Sequence, residues 1–322
     1  MLAAWLDAKR ARGRIILRIE DIDLQRTQDG AQDGILRDLE WLGLDWDGAI
    51  TVQSARMDRF EAALEKLARM DRIYPCTCSR KEIALASSAP HGPSDEGPRY
   101  PGICRPHAAA GCGPSRTEGP GRAGARAAGI KREQPERRPR VLKDGAKKAA
   151  EGRTPSIRLK TMPGDTVAHT DRRFGAVDQD VYEAVGDFIL KRADGMWAYQ
   201  LAVSVDDLEE GVTDIVRGSD LLRSTPRQIL LRRLLDPSAP PLSTLHVPLI
   251  LGPGGQRLAK RDGAIAVADR RARGQSPDSL VGELAWSLGQ LPNKQDVRAE
   301  ELVELWDPQK IPLEDQKLEA IE

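Results

Sequence analysis

Apolar positions at helical spacing alternate along the chain with short β-branched runs. The stretch Leu2–Arg12 has a helical pattern with Gly13 as its stop, and Arg14-Ile15-Ile16-Leu17-Arg18-Ile19 reads as a buried strand. Acidic Glu20-Asp21-Ile22-Asp23 follows at the strand's C-terminal end, where open α/β sheets collect their ligand-binding residues. Ile35, Leu36, Leu39 and Leu42 predict a packed surface helix between Asp29 and Gly43, and Phe60, Leu64 and Leu67 predict another over Met57–Met70.

From Ser87 to Arg153 this pattern dissolves into Gly, Pro, Ala and charge. So few large apolar residues cannot offset the entropy of ordering, which predicts mobility over much of 113–153. Periodicity returns with an alternating strand over Ser156–Lys160, an amphipathic helix over Val181–Arg192, a buried strand over Trp197–Val205 and a short strand over Asp214–Gly218. A helix is expected to begin at Ser224-Thr225-Pro226, where a hydroxyl cap precedes a proline allowed in the first turn, and to continue through Ile229, Leu230 and Leu234. Helices dominate again after Ser276, and the sequence carries no internal repeat.

The 322 residues suffice for two or three packed units, and 30% charged with 40% apolar residues is a globular balance. No apolar run reaches bilayer length, and Met1–Leu6 meets Asp7-Ala8-Lys9-Arg10 at once, without the features of a signal peptide, so a cytoplasmic protein is expected. The 49 Lys/Arg balance 49 Asp/Glu, but Gly113–Arg153 holds 12 Lys/Arg against 5 Asp/Glu, so attraction for a polyanion is local.

All four cysteines fall within residues 76 to 112, which points to a metal site rather than a disulfide framework. Cys76-Thr77-Cys78 sets two thiolates close together, Cys104 lies 26 positions after Cys78, and zinc suits such soft ligands in a loop-rich module. Tyr100, His91, His107 and Cys112 are all within sequence reach as a fourth ligand, and chemistry alone favours His107 or Cys112. Gly252 to Ala264 is a glycine-rich turn with a basic patch in which Lys260 offers a compact ammonium for phosphate charge. Tyr199, Arg217 and Glu20 sit at or near the ends of expected strands, where a doubly wound sheet would gather them. Arg217 suits a carboxylate, Tyr199 adds a hydroxyl and Glu20 takes an ammonium, together matching an amino acid with an acidic side chain.

Seven ordered segments unite these signals: Leu17–Asp23, Asp33–Gly48, Tyr74–Lys81, Tyr100–Arg105, Trp197–Asp207, Val216–Gln228 and Leu245–Ala264. Their order resembles that of bacterial glutamyl-Q tRNA(Asp) synthetases, which are similar to the catalytic half of glutamyl-tRNA synthetases, over most of residues 2 to 270 except the basic insertion. The resemblance implies an α/β fold: a class I aminoacyl-tRNA synthetase Rossmann-type catalytic domain with an inserted zinc-binding module and a helical C-terminal region. It places the first part of the catalytic domain at 1–73, the zinc insertion at 74–180, the second catalytic part at 181–235 and the ATP loop with the helical region at 236–322.

By position the resemblance assigns Glu20, Tyr199 and Arg217 to glutamate, Lys260 to ATP and catalysis, and Cys76, Cys78, Tyr100 and Cys104 to zinc, so that family usage selects tyrosine as fourth ligand. It implies ATP with Mg2+, glutamate, and a tRNA(Asp) bearing queuosine as partners of a monomer without membrane attachment. Met1 aligns after the family's His-containing phosphate motif, alanine replaces a usual serine at Ala259, and the basic insertion is unusually long. The short span after Lys260 favours the queuosine-modifying branch over a glutamyl-tRNA synthetase acting on a tRNA 3′ end. The missing motif is what an inactive RNA-binding pseudo-enzyme would also display.

Overall fold

Along the chain the helices are α1 (Leu2–Arg10), α2 (Ala31–Trp41), α3 (Met57–Arg69), α4 (Val181–Ala184), α5 (Tyr199–Glu209), α6 (Thr225–Leu235), α7 (Val267–Ala272) and α8 (Pro277–Ser287). The strands are β1 (Arg18–Ile19), β2 (Thr51–Val52), β3 (Ile73–Cys76), β4 (Ser156–Leu159), β5 (Thr166–Asp171), β6 (Gly175–Asp180), β7 (Ile189–Lys191), β8 (Asp214–Gly218), β9 (Ser243–Val247), β10 (Ile250–Leu251) and β11 (Gln316–Lys317). This computed structural model describes residues 1–23, 30–79, 81–83, 99–106, 152, 154–252, 254–255 and 266–317. The chain forms two compact units, the first made of Met1–Ala63, Met162–Ala184 and Met196–Glu322, the second of Leu64–Thr161 and Val185–Gly195.

In the first unit α1 buries Leu2, Trp5 and Leu6 against Leu17, Leu245, Leu302 and Trp306, a core drawn from widely separated segments. Its one buried acid, Asp7, pairs with Arg172 and accepts the Trp306 indole N–H at 2.9 Å, so the burial of charge is compensated. The larger sheet has the order β6-β5-β9-β8, with β5, β9 and β8 parallel and β6 returning antiparallel from a hairpin. β1 pairs with β2 in parallel. Gly282 on α8 lies where an added Cβ would collide with the Gln295 carbonyl oxygen, so only glycine permits that approach. The second unit holds the antiparallel sheet β3-β4-β7.

The helices expected over 2–12, 29–43 and 57–70 form with nearly those bounds. Six expectations differ from the structure. Trp197–Val205 is no strand: Tyr199–Glu209 is α5, whose buried run Leu201 to Val205 satisfies helix and strand alike by periodicity. Ser204 Oγ donates to the Gln200 carbonyl at 2.7 Å, and Gly211 at φ 68° ends the helix with its N–H on the Leu208 carbonyl. Val181–Arg192 is not one helix: α4 makes a single turn, Gly186 takes φ 71°, and Asp187 turns inward as a hydrogen-bond acceptor before β7. Within Arg14–Ile19 only Arg18–Ile19 pairs as strand, and β4 is buried at all four residues rather than alternating, because Arg158 donates to the Asp187 carbonyl at 2.9 Å. Ser224 does not cap α6 through its hydroxyl, which instead accepts from Arg227 at 2.9 Å and Gln200 at 3.2 Å, although Pro226 does occupy the first turn. After Ser276 the described residues form α8 and short 3-10 turns rather than a run of helices. The mobility expected over 113–153 concerns a segment that, save Gly152, lies outside the described residues.

Candidate functional site

Within the first unit, β1 delivers Arg18 and then Glu20, α5 begins at Tyr199, and β8 carries Arg217. Arg217 is the register partner of His246 on β9, which puts both side chains on the same stretch of sheet. The guanidinium is fixed along one edge. Nε donates to His246 Nε2 at 3.2 Å, and Nη2 donates to Thr225 Oγ1 and Gln228 Oε1, each at 2.7 Å. Gln228 in turn donates to Gln200 Oε1 at 2.9 Å, joining α6 to α5.

Tyr199 lies within electrostatic reach of both Glu20 and Arg217. Burial pushes the Tyr199 phenol up, the negative charge of Glu20 adds to this, and a hydrogen bond with Arg217 opposes it. Burial also lowers the pKa of Arg217, against the opposing influence of Tyr199 and Asp207. The Glu20 carboxyl is raised by burial and by the nearby Asp207 and Asp206, with Arg18 pulling the other way at 3.5 Å. The cluster therefore offers a half-exposed carboxylate, a phenol and a held guanidinium. A carboxylate can take an ammonium, a guanidinium can take a carboxylate, and a phenol adds a further hydrogen bond. Lys260 and its neighbours Arg257 to Arg261 lie outside the described residues.

A layer of charge beneath Glu20 gave no signal in the sequence. Arg18 Nη1 meets Glu210 at 2.6 Å, Nη2 meets Asp207 at 2.8 Å, and Nε lies 3.9 Å from Asp206. Asp206 is fully buried and also accepts from Gln53 and Arg56, each at 2.7 Å. Burial would lower the Arg18 pKa, yet the surrounding carboxylates outweigh it and raise the pKa above the ordinary value. Asp171 and His246 were equally unmarked. Both are essentially inaccessible, and they touch at 2.7 Å across 75 residues of sequence.

In the second unit β3 ends at Cys76, and the thiol sulfurs of Cys76, Cys78 and Cys104 all lie within 4.8 Å of one another. Cys78 and Cys104 approach to 3.5 Å, close to the edge of about 3.8 Å that a tetrahedral zinc–sulfur site requires. Tyr100 Oη accepts from the Cys76 thiol at 3.3 Å and from the Cys104 backbone N–H at 2.8 Å, and it lies 3.5 Å from Cys78 Sγ. Tyr100 is thus the oxygen at the thiol cluster, while His91, His107 and Cys112 lie outside the described residues. Three sulfurs and one oxygen facing a common point fit a small, borderline-soft divalent cation.

Burial would raise the Cys104 thiol, but the Thr77 backbone N–H and bonds from its neighbours lower it to about 7; burial pushes Cys78 up to about 11. The Arg158 guanidinium stacks 3.9 Å from the centre of the Tyr100 ring. Behind them the buried Asp187 accepts from Tyr74 at 2.6 Å, Arg105 at 2.9 Å, and the Thr161 amide and hydroxyl at 2.8 and 2.9 Å. This anchors the loop that carries Cys104. Among the described residues no helix is long and apolar enough to cross a membrane.

The family described as tRNA synthetases class I (E and Q), catalytic domain, matches residues 1–109 and 116–295. A glutamyl-Q tRNA(Asp) synthetase of Symbiobacterium thermophilum is 42% identical over 99% of this chain and 90% of its own length. That of Nocardia farcinica is 40% identical over 97% of this chain and 85% of its own. Among solved structures, a glutamate-tRNA synthetase from Elizabethkingia anophelis superposes with a TM-score of 0.71 at 23% identity, covering 99% of this chain, which spans 64% of the larger protein. At that identity the likeness concerns the fold.

Proposed function

The chain belongs to the class I tRNA synthetase (E and Q) catalytic-domain family, among the glutamyl-Q tRNA(Asp) synthetases, and we propose that it activates glutamate with ATP and transfers it to queuosine in the anticodon of tRNA(Asp). What supports this reading is Tyr199, which lies within electrostatic reach of both Glu20 and Arg217, together with an Arg217 guanidinium already held along one edge. Arg217 takes a carboxylate of glutamate, Tyr199 adds its hydroxyl, and Glu20 takes the ammonium.

In the first step an oxygen of the glutamate carboxylate attacks the α-phosphorus of ATP. The bond to the bridging oxygen breaks, leaving glutamyl-adenylate and pyrophosphate. Lys260 offsets charge gathering on the leaving phosphates, with Mg2+ expected alongside the nucleotide. In the second step a hydroxyl of queuosine's cyclopentenediol attacks the activated carbonyl, AMP departs, and an ester remains. Fixing the amino acid before either step lowers the barrier by removing rotational freedom. Cys76, Cys78, Tyr100 and Cys104 would hold a zinc ion whose contribution is to the folding of the loop.

The test is single-turnover formation of glutamyl-adenylate from labelled glutamate and ATP, with Lys260→Ala and Arg217→Lys alongside. Formation that is selective for glutamate over glutamine and lost in both variants is expected. Equal use of glutamine, or unchanged rates in both variants, would contradict the assignment.

A further inference from the structure

Arg217 is held by a histidine whose own chemistry is set from behind. Asp171 ends β5, and its Oδ1 accepts the backbone N–H groups of Arg173 and Phe174 at 3.0 and 2.9 Å across the turn into β6. Its Oδ2 faces His246 Nδ1 at 2.7 Å, and His246 Nε2 faces Arg217 Nε at 3.2 Å. Asp171 is 1% exposed and His246 not at all, so water cannot substitute for either partner.

We propose that Asp171 and His246 are a positioning pair for glutamate selectivity: the carboxylate fixes the imidazole with its proton on Nδ1, and the Nε2 lone pair then holds Arg217 in its carboxylate-binding orientation. The inference rests on Arg217 being a glutamate ligand, and it goes further by naming what aims that ligand and how.

Two groups face His246 Nε2: the Arg217 Nε–H, and at 3.3 Å the Thr225 hydroxyl, whose oxygen accepts from Arg217 Nη2 and whose proton can turn to the ring. A guanidinium has donors only, so an imidazole nitrogen receiving Arg217 Nε–H must be unprotonated. The proton of a neutral His246 then sits on Nδ1, which requires an acceptor at 2.7 Å, and Asp171 Oδ2 supplies it. Asp171 stays ionised because its other oxygen already accepts two backbone donors; although burial opposes ionisation, the bonds from His246, Phe174 and Arg173 hold its pKa to about 2. Thr225 Oγ1 accepts from Arg217 Nη2 at 2.7 Å, and Gln228 Oε1 accepts from the same nitrogen, so this edge of the fork is fully engaged. Nη1 is the nitrogen these three residues leave over. The pair therefore determines which edge of the fork faces the cluster of Tyr199 and Glu20.

The relay also explains a buried polar strand. Strands β5, β9 and β8 lie side by side and each contributes one member, Asp171, His246 and Arg217. A core of apolar residues there would be easier to bury, since every one of these groups has to be matched.

Asp171→Asn isolates the effect because it keeps size and shape. The Arg173 and Phe174 amides hold the asparagine's oxygen where Asp171 Oδ1 was, so its NH2 points at His246 Nδ1. The imidazole must then accept on Nδ1 and carry its proton on Nε2, facing another donor. The same substitution logic is known from the serine-protease triad, where it selects the wrong tautomer.

Two measurements decide the matter. In the intact, 15N-labelled protein at neutral pH, nitrogen shifts of His246, one of four histidines, should report a neutral ring protonated on Nδ1. A ring protonated on Nε2, or on both nitrogens, overturns the proposal without any variant. In equilibrium binding of labelled glutamate, Asp171→Asn should raise Kd at least about tenfold, at wild-type binding stoichiometry and with glutamine binding no weaker. An unchanged glutamate Kd overturns the proposal. If the variant does not fold, the tautomer measurement decides alone. Arg217→Lys separates the two levels: if it binds glutamate as wild type does, the assignment of Arg217 itself fails, whatever Asp171→Asn shows.

Discussion

Replacing Arg18 by methionine removes the cation that Asp207, Glu210 and Glu20 share, and the cost follows from which carboxylates lose what. Asp206 keeps its bonds from Gln53 and Arg56, so it loses little. Asp207 and Glu210, with side chains 6% and 9% exposed, lose their direct partners at 2.8 and 2.6 Å. Two charge-assisted bonds at about 1.5–3 kcal/mol each put the destabilisation at about 3–6 kcal/mol at neutral pH.

The pH dependence identifies the cause. Burial already raises the Asp207 carboxyl against the lowering influence of Arg18, so without the guanidinium it rises further. A carboxyl whose folded pKa lies above its unfolded value stabilises below the unfolded pKa, and that contribution is lost as pH rises through the folded pKa. The gap between wild type and Arg18→Met should therefore be widest near pH 8 and narrow towards pH 5. Urea unfolding followed by tryptophan fluorescence measures both, and with a slope of about 3 kcal/mol/M the midpoint should fall by more than about 1 M at pH 8. A loss below about 1 kcal/mol, or one equal at pH 5 and pH 8, would refute the view that Arg18 is the cation on which the buried Asp207 carboxylate depends.

Three further outcomes are expected. Elemental analysis after chelator-free purification should find one zinc per chain, and Cys76→Ser/Cys78→Ser should lose it; equal metal content in the two proteins removes the assignment. Because the Asp171 pKa lies near 2 rather than 3.8, this group should add about 2 kcal/mol of stability above pH 4 that is lost as pH falls through 2; acid unfolding of wild type and Asp171→Asn should therefore converge at low pH, and parallel curves would contradict it. Deleting Gly113–Arg153, with its 12 Lys/Arg against 5 Asp/Glu, should weaken tRNA binding and flatten its salt dependence, whereas superimposable salt series would make the segment a passive linker.

Periodicity located α1, α2 and α3 because each has a polar face to contrast with its apolar one. It failed at α5 because Leu201, Ala202, Val203 and Val205 are all buried, and a helix enclosed on every side loses the contrast that separates it from a strand. It failed at Val181–Arg192 because Asp187 reads as the polar side of a helix, whereas its carboxylate is buried by partners that arrive from residues 74, 105 and 161. The thiol cluster was legible from spacing, whereas the oxygen beside it was legible only from the family resemblance: ligand chemistry alone points away from a phenol, yet the fold sets Tyr100 Oη at 3.3 Å from Cys76. Asp171 and His246 were not legible, since nothing local marks two polar residues that meet only when β5 and β9 pair.

The destination of the glutamyl group is read by following labelled glutamate on purified tRNA(Asp) with and without queuosine. After incubation with the protein and ATP, the tRNA 3′ end is removed enzymatically and the retained label counted. Label should survive trimming and depend on queuosine. Label lost with the 3′ end, or carried equally by tRNA without queuosine, would contradict it.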